Sequence, residues 1–497
     1  MRALLVHPEC PDSFWKYPVA VEYIGRKAAF APLGLLTIAA MFPDSWELKV
    51  VDLNVEPLKD RHIEWADVVF ISAMHIQLRS ANEVIVRCSA KGKKIVGGGP
   101  AFTSSPEKFP LADHILRGEA ENIFPRLISD LESGSAKKIY QSEDYPDLAD
   151  SPMPRWDLVD IHKYGTMSIQ YCRGCPFDCE FCDVVSIFGR KIRKKRREQI
   201  ITELELLYRL GWRGSVFFVD DNFIGDIPAA KMLLRDIIEW QKSRGHPFKF
   251  LTQASINLAL PKNRDVLNLM GEANFHEVFV GIETTNRDAL KAWGKKQNVD
   301  IDLAEAVRTI QRHGIKVMAG LIVGSDHDTS DIFEDTKNFV METGITIAMV
   351  GILLALPGTR LWKRLKAENR LIEDFDQWDN TGGATNFIPI MDTEELLAGY
   401  LMLVRYLYRA ENYYKRIEKL FEVYQPSKES RVHPTRDKEA FLKSLWRIGV
   451  LSKNRSLYWN LLWQTTTTKE KRDLFSEAVV QAILAENFES FAQKLTA

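Results

Sequence analysis

Four of the six cysteines in the chain fall inside the stretch Gln170-Tyr-Cys172-Arg-Gly-Cys175-Pro-Phe-Asp-Cys179-Glu-Phe-Cys182-Asp183. Cys175, Cys179 and Cys182 stand in a C-x3-C-x2-C spacing. That spacing lets three thiolates from one short loop reach three corners of a [4Fe–4S] cube and leaves the fourth iron free to take an external chelate. The competing chemistry is zinc. Cys172-x2-Cys175 followed by Cys179-x2-Cys182 reads as a compact four-thiolate site, but a structural zinc site separates its pairs by a longer loop than the three residues found here. Cys172 is open between three roles: a spare thiol, a ligand on the substrate side, or a simple replacement.

Such a loop must be positioned by something rigid. It follows a predicted strand at 167–171, the first of a strand–helix series with further strands at 215–219, 249–253, 277–281, 316–323 and 346–353. Six β/α units suit a partial TIM-like barrel, open on one side, whose chemistry gathers at the carboxyl ends of its strands. Polar residues stand at those ends: Asp220-Asp221-Asn222 after the second strand, Gln253 after the third and Glu283 after the fourth. The fifth carries Gly320, Ile322 and Gly324. Helix capping is the plainer reading for Asp220 or Asn222.

Residues 1–135 form an earlier series, with strands predicted at 3–6, 48–51, 67–72, 94–96 and 114–116, the pattern of an open Rossmann-like parallel sheet. Ser72, Met74 and His75 follow the third of these strands, and Gly97, Gly98 and Gly99 the fourth. Ligands of doubly wound sheets sit beyond such strand ends, although glycine-rich turns also occur there without a ligand. Residues 136–165 lack periodicity and contain Ser-Pro-Met-Pro, so they read as an extended linker to a barrel over 166–364. Residues 365–497 are helical, charged and aromatic. Their aromatics are assigned to packing, in a domain that must close the open side of the barrel.

A chain of 497 residues, 45% apolar and 27% charged with a formal net charge of −1, describes a soluble multi-domain protein with no global attraction to nucleic acid. The basic run at 189–197 is the one strong charge cluster, and it lacks aromatic interleaving. Its expected role is a solvated loop and helix start, with Arg190 or Arg193 reaching a carboxylate or phosphate. No apolar run is long enough to span a bilayer, and Met-Arg-Ala-Leu-Leu-Val-His reads as a strand, not a signal peptide. Clustered cysteines suit a reducing cytoplasm.

The cysteine loop, Val219-Asp-Asp-Asn-Phe-Ile-Gly225, the first domain and the tail together resemble the B12-binding-domain radical SAM family, and within it the hopanoid C-2 methylase group. Ser72-Ala-Met74 and the glycines at 97–99 are similar to two elements of the cobalamin fingerprint. The Asp-x-His-x-x-Gly element is absent, which implies a base-off cobalamin with its lower face open, hydrated or covered by a side chain. Asp52-Leu-Asn54 and Gly118-Glu-Ala-Glu121 are also similar to family segments. The resemblance implies that the free iron binds S-adenosylmethionine. Phe181 and Gly320-x-Ile322-x-Gly324 would pass the adenine, Glu283 would meet the ribose, and Asp220, Asp221 or Asn222 the ammonium. It further implies a low-potential electron donor such as flavodoxin or ferredoxin, and a small-molecule or lipid-like substrate. The implied reaction is methyl transfer to an unactivated carbon: a 5′-deoxyadenosyl radical removes hydrogen, and cobalamin carries the methyl group. One alternative keeps the cluster without cobalamin and transfers a 3-amino-3-carboxypropyl group to a soft nucleophile, for which Cys172 is the motive. A second alternative is a non-enzymatic zinc scaffold.

Overall fold

Among the described residues, 1–426 and 436–496 of the computed structural model, fifteen strands form two large parallel sheets and one short antiparallel pair. Strands β1 (Arg2–His7), β2 (Ala28–Phe30), β3 (Glu47–Asp52), β4 (Val68–Ser72), β5 (Lys94–Gly98), β6 (His114–Arg117) and β7 (Ile139–Gln141) precede the cysteine loop. Strand β8 (Tyr164–Ile169) leads into it, and β9 (Cys172–Arg173) and β10 (Arg193–Lys194) frame it. Strands β11 (Ser215–Phe218), β12 (Lys249–Ala254), β13 (Phe275–Glu283), β14 (Lys316–Val323) and β15 (Ala348–Ile352) follow.

The first sheet has the order β3-β1-β4-β5-β6-β7, all parallel. Ala3 to Val6 are fully buried, as a central parallel strand covered on both faces requires. The chain leaves β1 for β3 on one side and returns to β4 on the other, so the crevice for a ligand opens at the carboxyl ends of β1 and β4. Apolar clusters cover both faces of this sheet, one around Phe102 and Phe109 and the other around Phe42, Phe70 and Phe124.

The second sheet runs β15-β14-β13-β12-β11-β8-β2, again parallel, with helices on its outer side. Six of these strands are the predicted half-barrel. The seventh, β2, departs from the sequence reading, which leaves residues 28–30 with the first domain. Ala28 pairs with Tyr164 and Phe30 with Thr166, so the chain crosses to the barrel edge before returning to build β3. Three residues are too few to show strand periodicity. The region read as linker likewise contributes β7 to the edge of the first sheet.

Helices Thr393–Tyr408, Ala410–Val423, Arg436–Trp446, Arg455–Thr467 and Phe475–Leu495 make up the tail and share one apolar core with the barrel. Tyr400, Tyr408 and Tyr413 are buried there. Phe14, from the crossing segment before β2, stacks on Phe488 with ring centroids 4.6 Å apart, so the tail clasps that segment against the barrel. Among the described residues no helix is long and apolar enough to cross a membrane.

Candidate functional site

The cysteine loop leaves β8 and is fastened on every side. Asp220, beyond β11, is fully buried and its Oδ1 accepts the backbone N–H of Tyr171 at 2.7 Å and of Cys172 at 2.8 Å. Asp221 accepts the N–H of Gly174 at 2.8 Å. The β9–β10 pair ties the loop to the basic segment, Glu180 N–H donates to the Trp293 carbonyl at 2.8 Å, and Leu361 N–H donates to the Glu180 carbonyl at 3.0 Å. Burial pushes the Asp220 carboxyl up to about 7 and that of Asp221 to about 6.

Cys175, Cys179 and Cys182 project from this fastened loop. Burial raises all three thiols, and Lys295 is close enough to pull each of them back down. The Gln297 amide stands 3.9 Å from the Cys179 sulfur. Three soft donors from one loop, with a buried cation to offset their charge, fit an iron–sulfur cluster. Among the described residues no group of three or more Cys, His, Asp or Glu side chains is gathered as closely as a lone metal ion requires. Cys172 is packed at the base of the same loop, with Cys175 among its electrostatic neighbours. It is buried, its thiol is pushed well above the ordinary range by burial, and its sulfur lies 3.8 Å from the Asn222 carbonyl. Of the four clustered cysteines only Cys182 lines the cavity described below; Cys172, Cys175 and Cys179 lie behind it.

A single cavity of 2140 Å³ runs from the loop across the open face of the half-barrel to the ends of β1 and β4. This is about twice the ~1,000 Å³ upper range of ordinary ligand pockets. Phe181, Cys182, Asp221, Gln253, Glu283, Gly320 and Ile322 line its barrel side. Glu283 is held at φ 65°, a region costly for a residue with a Cβ, just after a bulge in the β13–β14 ladder. The strained turn aims its carboxylate at Lys295, which pairs with it. Burial works against the Lys295 charge, but Glu283 and the thiols raise its pKa above the ordinary lysine value. A Cβ on Gly281 would stand 2.2 Å from the Glu283 carboxylate, so only glycine leaves room for the pair. Asp220, Asn222 and Gly324 do not line the cavity. Asn222 bonds Ser255 at 3.3 Å, and Gly324 N–H donates to Asp328 at 3.0 Å.

On the first sheet Ser72, Met74 and His75 face the same cavity, beside His7, Cys10 and Asn54. His75 Nε2 is buried without a hydrogen-bond partner among the described residues, the ring lies 5.6 Å from that of Trp378, and burial lowers its pKa to about 4, so it is neutral. A neutral unpaired imidazole beside an aromatic plate, with Met74 exposed at the strand end, fits a flat metal-bearing macrocycle. Gly98 and Gly99 do not reach the cavity. Gly99, at φ 92°, packs so closely that a Cβ would stand 2.9 Å from the Ala73 carbonyl, which fixes the ends of β4 and β5 relative to each other.

Arg193 does not reach the cavity either. Its terminal nitrogens go to Glu119 at 2.9 and 2.5 Å and to the carbonyls of Pro146 and Phe188. Arg173 bonds Glu119 and Glu121. These four buried charges connect the end of β6 to the cysteine loop. The sequence reading marked Gly118-Glu-Ala-Glu121 as similar to a family segment without giving Glu119 a role, and it missed Arg173, Lys295 and Gln297 as site residues. The loop's location was the available signal for Arg173, while nothing local marked Lys295 or Gln297.

Residues 26–128 match the B12 binding domain family, residues 169–340 the Radical SAM superfamily, and residues 359–497 a domain of unknown function (DUF4070). The chain is 38% identical to an uncharacterized methyltransferase of Synechocystis sp., over 93% of this chain and 86% of that protein. It is 35% identical to a hopanoid C-2 methylase of Rhodopseudomonas palustris, over 92% of this chain and 88% of that one. Among solved structures, the cobalamin-dependent S-adenosylmethionine radical enzyme OxsB is similar in fold, with a TM-score of 0.64 at 17% identity, over 99% of this chain and 79% of that chain.

Proposed function

The chain belongs to the radical SAM methyltransferases that carry a B12-binding domain, and from that premise we propose that it methylates an unactivated carbon of a large, apolar, lipid-like substrate. The observation that carries the reading is the shared cavity. Cys182 and Glu283 stand at one side of it, His75 at another, and Trp15, Phe279, Met318 and Met349 form an apolar wall between them. When bound, the cluster with S-adenosylmethionine supplies the electron and the hydrogen-abstracting radical, and cobalamin supplies the methyl group.

The protein's part is positioning and exclusion of water. Cys175, Cys179 and Cys182 hold the cluster. Glu283, with Lys295 beside it, would orient the ribose and carboxylate ends of the co-substrate, while Phe181, Gly320 and Ile322 would give the adenine a flat apolar seat. Asp220 acts one step back, as a positioning residue that fixes the loop backbone. Ser72, Met74 and His75 face the corrinoid. The apolar wall offers a large area for a hydrocarbon skeleton, and its one strong donor, the Trp15 indole N–H, already donates to the Met349 sulfur at 3.0 Å. The hopanoid C-2 methylase relative acts, by its name, on a substrate of that kind. A low-potential iron–sulfur or flavin protein of the ferredoxin or flavodoxin type completes the system.

The test is anaerobic reconstitution with iron, sulfide and cobalamin, then reduction with S-adenosylmethionine and a lipid extract. Iron and cobalt should both be retained, and 5′-deoxyadenosine should accumulate one-for-one with a methylated, water-insoluble product. Retention of iron without cobalt, or accumulation of methylthioadenosine, defeats the reading.

A further inference from the structure

Six large apolar side chains are exposed within the short span 442–463: Leu442, Trp446, Val450, Leu451, Trp459 and Trp463. Trp463 is 69% exposed and Trp446 60%. They form a patch, not a scatter. Leu442, Trp446 and Val450 recur every fourth residue along Arg436–Trp446 and the turn Arg447–Leu451 that continues it. Trp459 and Trp463 do the same on Arg455–Thr467. The two rows are joined where Trp459 Nε1 donates to the Gly449 carbonyl at 2.9 Å and where Ser444 and Tyr458 share a hydrogen bond of 2.7 Å. A single protein surface rarely leaves such a patch without a partner.

The charge around the patch identifies that partner. In a chain whose net charge is −1, the span 438–468 carries Lys438, Lys443, Arg447, Lys453 and Arg455 against one acid, Glu439. Arg447 rests on Glu22 at 3.1 Å in a pair exposed enough to exchange partners at little cost, while Lys453, itself 68% exposed, reaches the half-buried Glu489 at 3.0 Å. Tryptophans on a hairpin that also carries lysine and arginine suit the boundary between lipid headgroups and acyl chains, where the ring is half-immersed and the cation meets phosphate. The same excess of like charge opposes a second copy, and protein interfaces are depleted of lysine. The hairpin also borders the substrate cavity. Lys438, Ala440 and Phe441 line it from one helix, and Val480, 45% exposed, lines it from Phe475–Leu495.

We propose that the hairpin of Arg436–Trp446 and Arg455–Thr467 docks on an anionic bilayer surface. Leu442, Trp446, Leu451 and Trp463 enter the headgroup region, and the rim at Phe441 and Val480 is turned towards the membrane, the source of an apolar substrate. The route for substrate rests on the lipid-like reading above; the docking itself does not, and is measured without turnover.

The experiment floats the full-length reconstituted protein with phosphatidylcholine vesicles made with and without phosphatidylglycerol. Binding is expected to the anionic vesicles, weakening in high salt, with a blue shift of tryptophan emission. The W446S/W463S variant should bind at least roughly tenfold more weakly, and the charge-reversed K453E/R455E variant should also lose binding. Both should cleave S-adenosylmethionine at the parent rate without vesicles, since neither pair touches the site. The proposal is overturned by absence of vesicle binding, by binding indifferent to both variants, or by a concentration-dependent dimer that W446S/W463S abolishes. A chain that binds vesicles but methylates no lipid leaves the docking standing and removes the substrate reading.

Discussion

Arg173, lodged between Cys172 and Cys175, donates to Glu119 beyond β6 at 2.5 Å, so the cysteine loop is bolted directly to the B12-binding sheet. Glu119 also takes Arg193, and its side chain is only 2% exposed. A carboxylate so placed fixes the distance between the two halves of the cavity.

Glu119→Gln should therefore separate two activities that share the cavity. Breaking a buried ion pair from one side costs about 3–5 kcal/mol, so the unfolding midpoint should drop clearly. Iron content should be kept, because Glu119 touches no thiol. Methyl transfer should fall more than cleavage of S-adenosylmethionine, so 5′-deoxyadenosine should exceed methylated product several-fold. A ratio unchanged from the parent enzyme refutes the coupling role.

Gly281→Ala tests the Glu283–Lys295 pair without removing either charge. The added Cβ would fall 2.2 Å from the Glu283 carboxylate and 2.9 Å from Lys295 Nζ, so the pair must move. Loss of one charge-assisted hydrogen bond, about 1.5–3 kcal/mol, corresponds to a rise of roughly 10- to 100-fold in the KM for S-adenosylmethionine. Initial rates of 5′-deoxyadenosine formation against co-substrate concentration measure it, and an unchanged KM counts against Glu283 as a ligand.

The contrast between these two sites shows what a sequence exposes. Glu283 was readable because it ends a long strand, β13, whose position fixes the active face; a polar residue there has few other purposes. The cysteine loop stood out by its spacing together with its likeness to a family motif. Glu119 and Arg173 are 54 residues apart, and a single ion pair leaves no periodic trace in either segment. Lys295 is equally silent, one lysine among many until the fold brings it beside the thiols. Strand β2 escaped because three residues carry no pattern, and Cys172, open between three roles in the sequence, is buried in the fold like a small apolar side chain. Elements with a period were legible; pairings made by tertiary folding were not.

Lys316, at the start of β14, bridges Glu277 of β13 at 2.7 Å and Glu477 of the last helix at 2.6 Å, and its side chain is only 5% exposed. Burial disfavours the Glu277 charge, and Lys316 nonetheless holds that carboxyl below its ordinary range. Lys316→Met strands two buried carboxylates, a loss of about 3–5 kcal/mol by the same reasoning as above. The helix Phe475–Leu495 should loosen first, seen as faster amide exchange there than in the first sheet. Uniform exchange across both regions contradicts the bridge.

Asp328 offers a pH test away from the cysteines. Its carboxylate accepts the N–H groups of Gly324 at 3.0 Å and Ser325 at 2.9 Å, yet burial pushes its pKa up to about 6 from an ordinary 3.8. Between those values the folded state binds more protons than the unfolded chain, so this group's contribution to stability falls as pH rises and levels off above 6. Asp328→Asn keeps an oxygen for both N–H groups and has nothing to ionise. Relative to the parent, the variant should gain about 1–1.5 kcal/mol between pH 5 and pH 7, read from anaerobic urea midpoints at the two values. A constant difference between the two proteins at both pH values would mean that Asp328 ionises as freely as an exposed aspartate, and that the turn after β14 is open to water.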